Sequence, residues 1–154
     1  MRGTRLAGYS LCVRFHFIDE ILERTDARIV TLKRVAPGED YLQDHFPTFP
    51  VLPGVLMIEA MVQAARRLLA ARDPSLSRHV LGQVRALKYG TFVRPGDTMR
   101  IDVALLKQDA GGAFEFRGAG EVIRAGGPTS GRSGEPLPGC VSGRFALRPC
   151  RIGG

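Results

Sequence analysis

The sequence predicts one α+β domain, an antiparallel sheet wrapped around one long central helix. Three observations carry that expectation. Apolar residues recur at helical spacing from residue 54 to about 72. Runs rich in Ile, Val, Thr and aromatic residues precede and follow that stretch. Nothing within the 154 residues reads as a linker between two cores.

Taken in order, residues 21–25 and 27–35 read as strands, with Thr25-Asp26 as the turn between them. Residues 37–42 break the pattern and suit a helical turn. Pro47, Pro50 and Pro53 then stiffen the chain, because each fixes its own φ and disfavours helix at the residue before. In the helix, Leu56, Met57, Ala60, Met61, Ala64, Ala65, Leu68 and Leu69 follow the 3.6-residue period. Pro53 suits its first position and Asp73-Pro74 its end. The apolar surface covers most of the circumference, so burial is expected on nearly every side. Strands are expected at 80–89, 99–107, 113–124 and 140–147. Residues 125–139, dominated by Gly, Pro, Ser and Thr, read as a mobile hairpin loop. The domain is therefore expected over 13–148, with tails at 1–12 and 149–154. A helix on the concave face of a sheet leaves an edge to cover, and pairing of subunits is the usual remedy.

Hydrophobic residues make up 44% and charged residues 24%, a balance that excludes a disordered or fibrous chain. No apolar window is long enough for a membrane span, and residues 1–12 lack the apolar core of a secretory signal, so a cytoplasmic protein is expected. Cys12, Cys140 and Cys150 form no C-x-x-C and have no nearby histidines; they read as reduced thiols. No metal, nucleotide or redox cofactor motif is present, and none is expected.

The formal charge of +7 is uneven. Residues 1–65 hold 7 basic and 8 acidic side chains, residues 66–154 hold 15 and 7. The stretch 66–100 alone has 8 basic residues against Asp73 and Asp97. Such a bias suits an acidic partner or a solvated face. With no aromatic-interleaved RNA motif and no recognition helix, nucleic acid is not expected.

The segment from His45 to Gln63 carries the chemistry. A histidine heads a Pro-rich loop, and Glu59 follows in the second turn of the helix that the loop feeds. Val55, Leu56, Val62 and Gln63 lie three or four residues from Glu59 and share its face. An acid among Val and Leu is expected to resist ionisation, and Gln63 is placed to hydrogen-bond it. A neutral carboxylic acid near a histidine is an acid–base pair. Each residue alone has a bland reading: a surface histidine, a solvated helix Glu, a Pro-Gly helix start.

Taken together, the His-Phe-Pro at 45–47, Pro-Val-Leu-Pro-Gly-Val-Leu at 50–56 and Glu-Ala-Met-Val-Gln at 59–63 resemble the signature of the 3-hydroxyacyl-[acyl-carrier-protein] dehydratases of the FabZ type, a hotdog-fold family. The likeness continues to Arg94-Pro95-Gly96-Asp97. Asp44 and Thr48 stand where that family commonly has glycines. The resemblance implies that His45 and Glu59 are the catalytic pair and that the Gly54 N–H polarises the thioester carbonyl. Free N–H groups and the positive helix end suit that last role. It further implies removal of water from a 3-hydroxyacyl chain to give a trans-2-enoyl product, without a cofactor. The partner would be acidic acyl carrier protein, and the assembly a homodimer or higher homo-oligomer with His and Glu from different subunits.

Val55, Gln63, Phe46, Phe49 and Phe92, with Tyr89, are the expected substrate contacts and tunnel walls. Arg66, Arg67, Arg85, Lys88 and Arg94 are the candidate carrier-docking residues. Competing readings are a hotdog thioesterase, which hydrolyses the thioester, and a non-catalytic carrier-binding module. His16 and His79 fit no catalytic position; His16, between Phe15 and Phe17, is expected to face outward from a strand.

Overall fold

The computed structural model describes residues 16–39, 42, 50–126 and 136–150. Six antiparallel strands form one sheet: β1 (Glu20–Arg24), β2 (Arg28–Arg34), β3 (Val80–Tyr89), β4 (Thr98–Gln108), β5 (Phe114–Ile123) and β6 (Gly139–Arg148), in the order β1-β2-β4-β5-β6-β3. One helix, α1 (Gly54–Arg72), packs on a single face of this sheet. The expected strands recur within a residue or two. β3 coincides with its expected range, while Val35 falls outside β2. The Thr25-Asp26 turn closes through Thr25 N–H donating to the Arg28 carbonyl at 2.8 Å. Glu39 N–H to Ala36 O (3.2 Å) and Leu42 N–H to Glu39 O (3.0 Å) make the turn expected near residue 40. The loop expected at 125–139 lies mostly outside the described residues, but the strands it joins pair antiparallel, as a hairpin requires.

Alternation along the strands decides which face meets the helix. In β4, Met99, Ile101 and Val103 are fully buried, while Arg100, Asp102 and Ala104 between them are not. In β5, Phe114, Phe116, Gly118, Gly120 and Val122 point inward. A Cβ at Gly118 would overlap Met61 of α1, so this glycine lets helix and sheet approach closely. Met57, Ala60, Met61, Ala64, Ala65, Leu68 and Leu69 are the buried face of α1; Leu68 and Leu69 are 0% exposed.

Two expectations about the helix are corrected. Pro53 is the residue before the first helical turn, with φ −60° and extended ψ 141°, so Gly54 opens the helix. Burial is also not all round, for Val55 is 66% exposed at the open end. Helical periodicity marks an apolar side chain but cannot say whether its own chain covers it. At the other end Asp73 stops α1, and its carboxylate accepts from Ser75 N–H to start a short 3₁₀ turn, Pro74–Arg78.

The convex face carries ion pairs. Arg28 donates to both oxygens of Asp102, from Nε at 2.9 Å and from Nη2 at 2.6 Å. These hydrogen bonds, outweighing burial and helped by the charges of Arg28, Arg100 and Arg117, hold the Asp102 carboxyl below its ordinary range. A depressed carboxyl stabilises the fold above its unfolded-state value, about 3.9, and loses that contribution as pH falls through the lower folded value. Denaturant titrations from pH 7 downward should therefore show a loss below about pH 4 that is smaller in Asp102→Asn. Identical acid profiles for the two proteins would refute the assignment.

Candidate active site at the helix N-terminus

The site is built where the chain turns into α1. Leu52 N–H donates to the Val93 carbonyl at 2.8 Å, which ties the approach to α1 alongside the segment leaving β3. The Tyr89 ring lies on Gly54: a Cβ there would be 2.6 Å from both Cε1 and Cζ. Gly54, at the first helical position, directs its N–H out of the helix end with no intrahelical acceptor. Val55, Tyr89 and Phe92 are 66%, 53% and 53% exposed, so this end of the molecule presents apolar side chains to its surroundings.

Glu59 stands in the second turn of α1, half-buried, between exposed Val55 one turn before and Gln63 one turn after. Gln63 Oε1 accepts from the Phe17 N–H at 2.9 Å. That bond joins the α1 face holding Glu59 to the segment before β1, where buried Phe17 packs beneath Lys33 Nζ at 5.7 Å from its ring centroid. The sequence held no signal for this contact, which spans 46 residues. His45, Phe46 and Phe49 lie outside the described residues.

The turn at Arg94–Asp97 proves to be a scaffold for this region. Asp97, 4% exposed, accepts from the N–H groups of Arg94 (2.9 Å) and Ala125 (3.1 Å) and from Arg124 Nη1 (2.6 Å). Burial by itself would raise its carboxyl, but these donors outweigh it and hold it below the usual range. Arg124 Nη1 also donates to the Phe92 carbonyl at 3.1 Å, fixing the segment that meets Leu52.

His79 and Cys140 are structural. His79 is buried, with Nε2 2.9 Å from the Gly112 carbonyl and its ring edge-on to Phe114. His16 is exposed but precedes β1 and is not in a strand, contrary to expectation. Burial pushes the Cys140 thiol up to about 12, which makes it inert at neutral pH. Cys150 is exposed and unpaired, and Cys12 lies outside the described residues. Among the described residues no three His, Cys, Asp or Glu side chains group as a metal site. Nor is any helix among them long and apolar enough to cross a membrane.

The five candidate docking residues do not form one patch. Arg66 is turned inward, its Nε donating to the His79 carbonyl at 2.8 Å, while Arg67 is exposed on α1 and Arg94 sits in the turn before β4. Arg85 and Lys88 share the outer face of β3. Register pairs Arg85 with Arg144 and Arg144 with Arg117, giving a row of arginines across three strands. Arg85 meets Glu115 at 3.0 Å, but neither Arg117 nor Arg144 has an ion-pair partner among the described residues. Like charges placed directly opposite cost stability. Reading along the chain missed Arg117 and Arg144 because only strand pairing brings them beside β3.

Comparison with known proteins agrees with this architecture. Residues 21–127 match the ApeI-like family, described as ApeI dehydratase. The 3-hydroxyacyl-[acyl-carrier-protein] dehydratase FabZ of Polaromonas naphthalenivorans is 39% identical over 110 residues, covering 68% of this chain and 75% of that protein. Among solved structures, the dehydratase heterocomplex ApeI:P from Xenorhabdus doucetiae superposes with a TM-score of 0.61 at 16% identity, covering 85% of this chain and 96% of that one. An acyl-CoA hydrolase from Bacillus cereus superposes at 0.58 with 15% identity, covering 80% of this chain and 66% of that one. The sheet wrapped on α1 is thus a hotdog fold, shared by a dehydratase complex and by a hydrolase. Sequence draws the finer line. The chain belongs to the ApeI-like dehydratase family, and it is a dehydratase.

Proposed function

We propose that this dehydratase removes water from a 3-hydroxyacyl chain held as a thioester on acyl carrier protein, in fatty acid synthesis or a related assembly line. The observation that supports this most is Glu59: a half-buried carboxyl one helical turn and a half from a helix N-terminus, in a segment shared with a relative named for that reaction. His45 removes the proton on the carbon beside the carbonyl. The electron pair forms the new double bond as the C–O bond breaks, and Glu59 gives its proton to the departing hydroxyl. Gly54 N–H donates a hydrogen bond to the thioester oxygen as negative charge gathers there. Incubation with a 3-hydroxybutyryl thioester tests the reading. Ultraviolet absorbance of the enoyl product is expected; release of free thiol without it would mean a thioesterase.

The protein acts as a homodimer in the cytoplasm under this reading. Support comes from Val55, Tyr89 and Phe92, which are exposed beside the N-terminal end of α1, and from β3, an edge strand with one side unpaired among the described residues. No cofactor enters the scheme.

Docking of the acidic carrier is assigned to the convex face, through Arg85 and Lys88 with Arg117 and Arg144, rather than through Arg66. Screening acts beyond about 8–10 Å, so salt should weaken such docking. Reversing Arg117 and Arg144 to Glu is expected to raise KM for the carrier-bound substrate about tenfold while sparing a small thioester, a split that marks lost binding rather than lost chemistry. Equal kinetics on both substrates would leave the row as a solvated face.

A further inference from the structure

Tyr89 has a position that the reaction described so far does not use. Its ring covers Gly54, and its hydroxyl oxygen lies 3.0 Å from where a Gly54 Cβ would stand. The Cβ position is about 2.5 Å from the residue's own nitrogen. The phenol oxygen is therefore at most about 5.5 Å from the Gly54 nitrogen. One carbonyl oxygen can accept from two donors, each near 2.9 Å, when those donors are no more than about 5.8 Å apart. The separation of the two donors therefore falls within the span that a single oxygen can bridge. Tyr89 is half-exposed in the single chain, at the helix end where the thioester is placed.

We propose that Tyr89 is a further catalytic residue, its phenol O–H serving with the Gly54 N–H as the second donor to the thioester carbonyl. The inference rests on the dehydratase reading above. As the proton leaves the carbon beside the carbonyl, negative charge grows on the thioester oxygen, and two fixed donors stabilise it better than one. The phenol keeps its own proton throughout. Burial raises its pKa above the ordinary value near 10, so it remains a donor at any working pH near neutral. The same packing gives position 54 its requirement for glycine: any side chain there must displace the ring and the hydroxyl with it.

The experiment is Tyr89→Phe, which keeps the ring on Gly54 and removes only the hydroxyl. Thermal unfolding is expected to match the wild type. With a 3-hydroxybutyryl thioester, kcat should fall at least about tenfold, toward the 10²–10³-fold typical of a lost oxyanion donor, with KM nearly unchanged. A structural role would not move a second readout, the isotope-edited infrared stretch of the carbonyl in a bound butyryl thioester, which cannot eliminate water. Its shift to lower frequency in the wild type should shrink in Tyr89→Phe. A variant with kcat within about twofold of wild type, or with a carbonyl shift as large as the wild type's, overturns the role of Tyr89 and leaves the dehydratase intact. A wild-type protein that forms no enoyl product overturns the dehydratase reading and this inference with it.

Discussion

His45→Ala and Glu59→Gln are each expected to abolish dehydration while leaving the fold unchanged. Loss of one partner of an acid–base pair costs about 10²–10⁴-fold in turnover. Glu59 is half-buried on the helix face next to Gln63, and Gln preserves its shape. Circular dichroism should match the wild type in both. The two inactive variants also report on assembly. If His and Glu act across a twofold interface, a mixed dimer has one site with both changes and one with neither. After full exchange of an equal mixture, about one quarter of the sites should then work. Wild-type turnover in either single variant would remove its residue from the mechanism, and no recovery after proven exchange would mean that each chain supplies its own pair.

The second large effect is structural. Asp97→Ala would leave the N–H groups of Arg94 and Ala125 without their acceptor and Arg124 without its buried counter-charge. Unpaired buried donors cost about 1–3 kcal/mol each, and breaking a buried ion pair about 3–5 kcal/mol. Arg124 is partly solvated, so the total expected is about 3 kcal/mol. For a chain of this size that lowers Tm by roughly 10 °C. Activity should fall too, because the same arginine holds the Phe92 carbonyl beside the segment that receives Leu52 at the start of α1. Asp97→Asn retains one carboxamide oxygen and should lie between. A melt of Asp97→Ala within about 2 °C of wild type would show that the Arg94–Asp97 turn is held by something else.

Much of this protein was legible in its sequence. The bounds of α1 followed from Ala and Leu at helical spacing between Pro53 and Asp73-Pro74, and β3 to β6 followed from strand-like runs separated by turn signals such as Pro95-Gly96-Asp97 and residues 109–112. These are local properties, decided by backbone preference within a few residues. The candidate pair His45 and Glu59 comes from one short segment, whose order of residues carries the resemblance. Tertiary structure alone decided the rest. It put the Tyr89 ring on Gly54, 35 residues away, turned the Gln63 oxygen to Phe17, drew Arg66 back to His79, and aligned Arg117 and Arg144 with Arg85. Each of those contacts depends on strand register or on the approach of helix to sheet. Register is set by the whole inward face packing at once, so no local stretch of the chain encodes it.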